Sequence, residues 1–328
     1  MNIPKLVIYF FLVLLCLSCN EPANSPYPPI TFEKETSLPG TGRASAVAFA
    51  IDGKGYVTLG RNADSNDSLK DCWQYDPAID SWIKKTVFPG RARVKAMAAV
   101  VNGKAYVGLG YKPHVSTYVN GNYKDFWMYD PVSNNWTQKA DYPSKATDAC
   151  VSFVLNNCIY VGEGFSNIDF TNEFWKYNTT DNSWIQLKNL PGYARAGATL
   201  CADSAHIYFG TGYQIGNYND WWEYFPATDS WKQRKSMPDN GRVNAVALTM
   251  DNRSFVTTGR HFAGNLTGGR VLSDIMEYDA LRNVWYERGS IPGSGRENAI
   301  SFVIDGKGYI GLGENDTNVL NDFWSFEP

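Results

Sequence analysis

The sequence has almost no stretch in which Ala, Leu, Glu and Lys recur at helical spacing, so a helical fold is not expected. It also lacks blocks of one charge: 30 basic and 33 acidic residues are spread over 328 positions, with a formal net charge of −3. This distribution offers no basic footprint for nucleic acid. Histidine occurs only as His114, His206 and His261, which are not paired at metal-ligand spacing. We expect no nucleic-acid partner, no metal and no cofactor.

Aromatic residues and glycine are abundant instead. The chain has 11 Trp, 20 Tyr, 17 Phe and 29 Gly. This composition is typical of many short strands joined by tight turns. The sequence therefore predicts an all-β fold.

The N-terminus reads as a secretory signal over residues 1–19, with an uninterrupted apolar run at 6–17 that is too short to span a bilayer. A small residue before Cys19 resembles the bacterial lipobox, although Cys16 stands three positions before it where leucine is usual. The resemblance implies that Cys19 is acylated; cleavage without a lipid is the alternative. The next residues, 20–29, are rich in Pro, Asn and Ser and predict a flexible tether. We expect export across the inner membrane and an outer-membrane lipoprotein, periplasmic or surface-exposed, that contacts the membrane through its lipid only.

Four cysteines follow the signal, in a compartment that permits disulfides. Their spacing matches no disulfide framework and no zinc site. They occupy positions where other repeats have apolar residues or turn neighbours, which favours small buried thiols. These cysteines are Cys72, Cys150, Cys158 and Cys201.

A repeat of about 50 residues runs through the chain. Five tryptophans mark it at separations of 54, 48, 47 and 54 residues. Each lies seven residues before a proline and nine residues after a second anchor, which is Trp in four repeats and Met276 in the fifth. We expect these aromatic residues to form the core between repeats. The marker tryptophans are Trp82, Trp136, Trp184, Trp231 and Trp285.

Each repeat reads as four antiparallel strands, which is one blade of a β-propeller. Pairs such as Asp52-Gly53 and Asn102-Gly103 supply the positive φ angles of a tight hairpin between strands one and two. Asp76-Pro77 starts the turn between strands three and four. In the first repeat the predicted strands are Ala46–Ile51, Tyr56–Gly60, Cys72–Tyr75 and Trp82–Lys85.

The last repeat ends before its fourth strand, because Trp324 would need its partner at a position beyond Pro328. Phe32 lies seven residues before Pro39, the same offset as the marker tryptophans. The N-terminal strand is therefore predicted to complete blade six, so that residues 30–328 form a closed six-bladed ring. The predicted blades cover about 42–89, 90–143, 144–191, 192–238, 239–291, and 293–328 together with 30–36.

These features resemble the kelch-repeat family over about residues 30 to 328. The family has two glycines at the end of strand two, followed by Tyr and Trp. Here the first position holds Leu, Glu or Thr, and the second glycine is present in every repeat. The resemblance implies a kelch β-propeller like the central domain of galactose oxidase. The glycines are Gly60, Gly110, Gly164, Gly212, Gly259 and Gly313.

Strand alternation separates two faces of the ring. The tight turns within strand pairs one–two and three–four lie on one face, which we call the turn face. The connections from strand two to three and from strand four to the next blade lie on the other, the loop face. On the loop face, 10, 14, 8, 7, 14 and 8 residues separate the strand-two glycine from the acidic residue that opens strand three. Variable loops on a constant scaffold are usual binding sites.

The loop face also carries an arginine four residues after each blade proline, with Thr147 as the one exception. We expect these arginines near the mouth of the central channel. They need anionic company there, from protein carboxylates such as Glu163 or from an acidic ligand. Hydrogen bonds to carbonyls of the neighbouring blade are the structural alternative. The arginines are Arg43, Arg93, Arg195, Arg242 and Arg296.

Other residues on this face differ between blades, and their aromatic and hydroxyl groups suit a carbohydrate. Acidic loops at 64–67 and 314–316 have no recognised Ca²⁺ ligand spacing and read as solvated turns. The asymmetric ligand-binding candidates are Glu163, Tyr111, Tyr213, Arg260 and His261, together with Thr147, Asp148, His114, Tyr118, Tyr123 and Phe165.

Two enzyme families share this architecture. A copper centre of the galactose oxidase type requires a histidine pair that this sequence lacks. The sialic acid epimerase type has an Arg and a Glu in its channel. That resemblance implies Glu163 as general base, with Arg195 or Arg242 holding a carboxylate. Its large inserted loops are missing here.

The sequence favours a non-catalytic cell-envelope propeller that recognises a glycan or a protein through the loop face. A sugar-acid mutarotase or epimerase acting in the channel is the alternative.

Overall fold

A computed structural model describes residues 22–65, 67–113, 121–145, 147–203, 206–264 and 268–328. Within these ranges the fold is all-β, with six four-stranded antiparallel sheets. No described helix is long and apolar enough to cross a membrane. Cys19, His114 and Tyr118 lie outside the described residues.

The first three blades follow the predicted order, from the channel outward. Blade one consists of Val47–Ile51, Lys54–Thr58, Cys72–Asp76 and Ser81–Lys85. Blade two consists of Met97–Val101, Lys104–Gly108, Phe126–Asp130 and Asn135–Lys139. Blade three consists of Val151–Leu155, Cys158–Ser166, Asp169–Asn178 and Ser183–Gln186.

Blades four to six complete the ring. Blade four consists of Thr199–Ala202, Ile207–Gly210, Trp221–Phe225 and Ser230–Gln233. Blade five consists of Val246–Met250, Arg253–Thr257, Asp274–Asp279 and Val284–Ser290. Blade six consists of Ile300–Ile304, Lys307–Gly311, Phe323–Phe326 and, from the N-terminus, Phe32–Glu35. Short two-residue ladders pair Arg43–Ala44 with Arg61–Asn62 and Arg260–His261 with Arg270–Val271.

Ring closure by the N-terminal strand is confirmed. Phe32 pairs with Phe326, and Lys34 pairs with Trp324. The innermost strands of successive blades contact one another all the way around, including blade six against blade one. The sheet edge left open at the C-terminus is thus filled by the other end of the chain.

The tight turns on the turn face have the predicted chemistry. Asp52 and Gly53 have φ angles of 50° and 70°, and Asn102 and Gly103 have 50° and 68°. Two successive positive φ angles define the type I′ hairpin that fits twisted strands. These turns are short, and the residues that line the two cavities described below belong to the loop face and the channel.

The marker tryptophans join neighbouring blades. The indole Nε1 of Trp82 donates to the Thr36 carbonyl at 2.8 Å, and that of Trp136 donates to the Thr86 carbonyl at 3.1 Å. In both cases the acceptor follows the outer strand of the preceding blade. The aromatic rings pack between blades as predicted, as in Trp136 against buried Phe88. The repeat spacing therefore reflects one blade-to-blade contact made several times.

The cysteines form no disulfide among the described residues. Cys72 and Cys201 are buried, as expected, whereas Cys150 and Cys158 are partly buried. Residues 23–28 of the predicted tether lie against blade five.

Candidate functional site

Six residues at equivalent positions surround the mouth of the channel, and we call them the inner ring. Each follows the repeated arginine position by two residues and has a φ angle between 50° and 64°. The N–H of each donates to the carbonyl of its counterpart in the preceding blade at 2.9 to 3.1 Å, so that six hydrogen bonds close a circle. Because the backbone is used identically in every blade, only the side chains differ. The inner ring is Ser45, Lys95, Ala149, Gly197, Asn244 and Asn298.

The strand-two glycines hold this circle to the blades. Their φ angles lie between 83° and 115°, a conformation that favours glycine. A Cβ on Gly60 would lie 2.8 Å from the Ala44 carbonyl oxygen, and the other five glycines are similarly crowded. Each glycine N–H also donates to the next blade, as from Gly60 to the Arg93 carbonyl at 3.0 Å. The second glycine of the repeat is therefore required by the backbone.

The residue after each of these glycines forms a second circle, the rim ring. Its members pair by antiparallel bridges with the residue that precedes the inner ring, as Tyr111 with Val94. Blades two to four contribute aromatic residues, and blades five, six and one contribute charged residues. We call these the aromatic half and the charged half. The rim ring is Arg61, Tyr111, Phe165, Tyr213, Arg260 and Glu314.

A cavity of about 310 Å³ opens in the aromatic half on the loop face. Aromatic side chains form its walls, and a smaller cavity of about 130 Å³ continues into the channel past Lys95 and Asn244. The polar groups that line the main cavity include Lys95, Lys112, Asn122, Asp148 and Asn244. The aromatic lining is Tyr111, Phe165, Phe170, Tyr213 and Phe262.

Lys95 is the one charged residue of the inner ring. Its Nζ lies 3.4 Å from Asn244 Oδ1, across the channel. The Nδ2 of Asn244 donates to Glu297 Oε2 at 2.8 Å, which turns the amide oxygen toward Lys95. A long single hydrogen bond leaves the ammonium group with donors for a ligand.

Asp148 is the acidic residue of the cavity, and it is nearly fully buried. Its Oδ2 accepts a hydrogen bond of 2.9 Å from Asn122 Nδ2. Burial raises the pKa of Asp148 to about 6, although the charge of Lys95 and the bond from Asn122 act in the opposite direction. Asp148 therefore changes charge near neutral pH, next to a lysine and inside an aromatic cavity.

The five repeated arginines are all buried, and they do not line the cavity. Each forms a two-pronged ion pair with the aspartate that opens strand three of its own blade; in blade two, Arg93 Nη1 and Nη2 lie 2.7 Å from the two oxygens of Asp125. Each also donates to the carbonyl of the residue before the strand-two glycine, as Arg93 to Leu109 at 3.0 Å. The bonds are made within one blade, whereas carbonyls of the neighbouring blade were the expected partners. The pairs are Arg43–Asp71, Arg93–Asp125, Arg195–Asp220, Arg242–Asp274 and Arg296–Asp322.

The aspartates in these pairs are the anionic partners that the sequence analysis did not identify. Burial alone would raise the pKa of Asp125, but hydrogen bonds from Arg93 and the arginine charge lower it below the usual value. Asp125 Oδ2 also accepts from the indole Nε1 of Trp127 at 2.7 Å. An acidic residue two positions before the second anchor recurs in all six blades, and this signal was available in the sequence.

Blade three departs from this scheme. It has Thr147 in place of the arginine, and the Thr147 hydroxyl lies 3.1 Å from the Cys150 sulfur.

Glu163 precedes the strand-two glycine, where other blades have Leu or Thr, and it is fully buried. Arg195 Nε lies 3.6 Å from Glu163 Oε1, too far for a hydrogen bond, and neither carboxylate oxygen has a hydrogen-bond partner among the described residues. Burial raises the pKa of Glu163 well above its usual value, against the charge of Arg195. Its side chain does not line the cavity.

The charged side chains of the charged half form ion pairs at the mouth of the channel. Arg260 pairs with Glu297 and, at 2.6 Å, with Asp316, while Arg61 pairs with Glu314. His261 Nδ1 lies 3.0 Å from the Gly241 carbonyl oxygen. Among the residues that the structure describes, no group of three His, Cys, Asp or Glu side chains forms a metal site. Of the predicted ligand-binding candidates, the structure thus places Tyr111 and Tyr213 in the cavity wall and leaves Arg260 and His261 outside it.

The fold and the mouth together define a six-bladed β-propeller with a candidate ligand cavity at one end of its channel. Among solved structures, that of YjhT is similar to this chain with a TM-score of 0.74. The two are 18% identical, and the match covers 90% of this chain and 99% of the other. This likeness shows the fold. No protein-family model and no curated protein sequence matches the chain.

Proposed function

We propose that this chain is a kelch-type cell-envelope propeller that binds an acidic carbohydrate in the cavity of the aromatic half. The observation that carries the proposal is that Lys95, the charged residue of the inner ring, lines a cavity whose walls include five aromatic side chains. A sugar ring has apolar C–H faces, which pack on aromatic rings, and polar edges, which need hydrogen bonds from groups such as Asn122 and Asn244. A carboxylate on the sugar would pair with the Lys95 ammonium.

The shape of the site favours a small ligand over a protein surface. The cavity volume lies at the lower end of the range of about 300 to 1,000 Å³ that is typical of small-molecule sites. Protein interfaces are larger and flatter. We therefore favour the glycan over the protein ligand that the sequence analysis left open.

A screen against a glycan array, followed by calorimetry on the ligands retained, tests this function. Lys95→Met keeps the length of the side chain and removes its charge, and we expect it to weaken binding of an acidic sugar by about tenfold or more. Lys232→Gln is the matched control, because Lys232 is an exposed lysine on the outer strand of blade four. Equal affinity of the Lys95→Met variant and the control would refute the proposed site.

A mutarotase is the second candidate, and the position of Asp148 beside Lys95 supports it. Mutarotation needs a base that takes the proton of the anomeric hydroxyl and an acid that gives a proton to the ring oxygen as its bond to the anomeric carbon breaks. Both proton transfers are reversed when the ring oxygen attacks the other face of the carbonyl. The Asp148 carboxyl, with a pKa of about 6, can serve as the base, and the Lys95 ammonium can serve as the acid. Anomer exchange of sialic acid and related sugar acids, followed by NMR, tests this. Asp148→Asn is expected to abolish catalysed exchange, and Glu163→Gln, buried outside the cavity, is expected to retain it.

The lipid anchor at Cys19 belongs to the same proposal. Labelled palmitate supplied to an expressing Gram-negative host is expected to enter the chain, and Cys19→Ser is expected to prevent this. Absence of label from the unaltered chain would leave simple export.

A further inference from the structure

The segment before the first strand is bound to blade five, and we call residues 22–30 the strap. The N–H of Ala23 donates to the Trp285 carbonyl at 2.8 Å, and Ala23 forms a parallel bridge with Tyr286. Further along, the N–H of Ile30 donates to the Arg288 carbonyl, also at 2.8 Å. The strap therefore runs alongside the outer strand of blade five, in the same direction.

A buried ion cluster holds the strap in place. Glu277 accepts two hydrogen bonds from Arg253, at 2.6 and 2.7 Å, and pairs with Arg288. Arg288 also donates to the Pro28 carbonyl from Nε at 3.2 Å and from Nη2 at 2.9 Å. The Tyr27 ring covers both guanidinium groups, with centroid distances of 4.4 Å to Arg253 and 5.1 Å to Arg288. This cluster gives the strap specific partners that a free tether would not have.

The direction of the strap decides where the chain leaves the domain. The outer strand of blade five starts at Val284, just after the turn at 280–283 on the turn face. Its other end approaches blade six, since Ile30 comes two residues before Phe32, the first residue of the outer strand of blade six. Ala23 lies beside its beginning, and Ile30 lies beside its end. The N-terminal end of the strap therefore lies beside the outer turn of blade five, on the turn face.

The chain between the strap and Cys19 is short. Three residues lie between Cys19 and Ala23, and the four Cα–Cα steps from one to the other span at most about 14 Å when fully extended. The cavity lies at the mouth of the channel, whereas the strap lies on the outermost strand of blade five. A lipid on Cys19 would hold the turn face of blade five next to the bilayer.

The turn face offers suitable chemistry at this place. Leu281 in the outer turn of blade five is 97% exposed, and the next residue is the exposed Arg282. Val132, at the equivalent turn position of blade two, and Ile79, in the same turn of blade one, are also exposed. Arg282 pairs with Asp279 at 2.6 Å, so it is the exposed apolar tips that favour contact with a lipid surface.

We propose that a lipid bilayer covers the turn face at blade five and that the cavity opens away from it. This orientation rests on the proposed acylation of Cys19. It does not depend on the identity of the sugar, so glycan binding and orientation can fail separately.

Depth-dependent fluorescence quenching tests the orientation. The full chain is expressed with its signal, purified in acylated form and reconstituted into vesicles of phosphatidylethanolamine and phosphatidylglycerol. An environment-sensitive fluorophore is attached to Leu281→Cys or, as the matched control, to Ile215→Cys on the loop face, which is 79% exposed. Both variants also carry Cys158→Ser. The Cys158→Ser variant without an added cysteine is labelled in parallel, and it measures how much fluorophore attaches to the remaining native thiols. We expect spin-labelled lipid to quench the probe at 281 several-fold more than the probe at 215.

Insertion of about twenty Gly and Ser residues after Asn20 lengthens the connection by about 25 Å and leaves the strap intact. We expect this insertion to reduce the difference between the two probes. Equal quenching of the two positions in the unaltered chain, or stronger quenching at 215, would overturn the orientation while leaving the anchor in place. Failure of the chain to bind vesicles would overturn both the anchor and the orientation, whereas glycan binding would be unaffected.

Discussion

In five of the six blades a buried arginine lies two residues before the inner-ring residue, but the two positions differ in what they repeat around the ring. Five blades repeat the arginine, and each copy makes the same ion pair with an aspartate of its own blade. The inner ring repeats its backbone hydrogen bond but changes its side chain from blade to blade. A feature repeated in a ring serves the ring, because a ligand of ordinary size contacts only part of it. The unrepeated side chains, with Lys95 among them, are where a binding site is expected.

The largest effect is expected from the repeated position. Arg93→Ala leaves Asp125 without its partner and the Leu109 carbonyl without a donor, so we expect a loss of about 3 to 5 kcal/mol in the free energy of unfolding. Urea denaturation followed by tryptophan fluorescence measures this loss. Lys95→Met, two residues away, is expected to cost less than about 1 kcal/mol, since Lys95 makes only one long hydrogen bond. If both variants lose the same stability, the division between the two positions is wrong.

The next effect compares the two halves of the rim ring. Tyr213 forms part of the cavity wall and packs against Phe262 with ring centroids 5.6 Å apart. Tyr213→Ala is expected to lower affinity for the sugar by about tenfold to a hundredfold, because it removes a stacking surface. Arg61→Gln in the charged half is the control and is expected to leave affinity within about twofold. Calorimetry at a temperature where both variants are folded makes the comparison, and a similar loss in Arg61→Gln would place the ligand over the whole mouth.

The fold was predictable to a large extent, because the constant offsets among tryptophan, proline and glycine each correspond to a backbone or interblade contact. The missing fourth strand of the last repeat also predicted which chain end closes the ring. Side-chain direction was not predictable in the same way. The offset from each proline locates an arginine at the start of strand one, but it does not say whether the guanidinium turns into the blade or toward the channel. That depends on the aspartate opening strand three, as for Arg93 and Asp125.

Lys95 was missed for the opposite reason. It occupies a position that holds Ser, Ala, Gly or Asn in the other blades, so no repeat draws attention to it. Glu163 and Asp148 were both recognised as asymmetric acids of blade three, yet only Asp148 reaches the cavity. Asp148 precedes strand one of blade three and Glu163 lies within strand two, so the directions of their side chains become distinguishable only when the backbone is known.

A smaller effect is expected from pH, through Asp148. Its carboxyl is largely neutral below its pKa of about 6 and ionised above it. An ionised Asp148 repels the carboxylate of an acidic sugar and offsets the charge of Lys95, so affinity is expected to fall by up to about tenfold between pH 5 and pH 7.5. Calorimetry across this range tests the dependence, and Asp148→Asn is expected to remove it. A neutral sugar alcohol that binds the same cavity would show little change, and equal pH dependence for both ligands would exclude Asp148 as the cause.

The smallest effect concerns Glu163, the one ionisable residue at the position before the strand-two glycine. Because its pKa is higher in the folded chain than the ordinary value of 4.5, the folded state binds a proton more tightly than the unfolded state. The free energy of unfolding therefore decreases as pH rises from about 4.5 through the folded pKa.

Glu163→Gln removes the ionisable group without changing its shape, and Arg195 keeps its pair with Asp220. We expect this variant to be more stable than the unaltered chain by about 1 kcal/mol at pH 7.5 and to lose that advantage near pH 4. Glu287→Gln, at an exposed glutamate of blade five, is the control and is expected to change stability little at either pH. Urea midpoints at the two pH values decide the matter: a Glu163→Gln variant that is less stable at pH 7.5 would mean that the ionised carboxylate, held by Arg195, stabilises the contact between blades three and four.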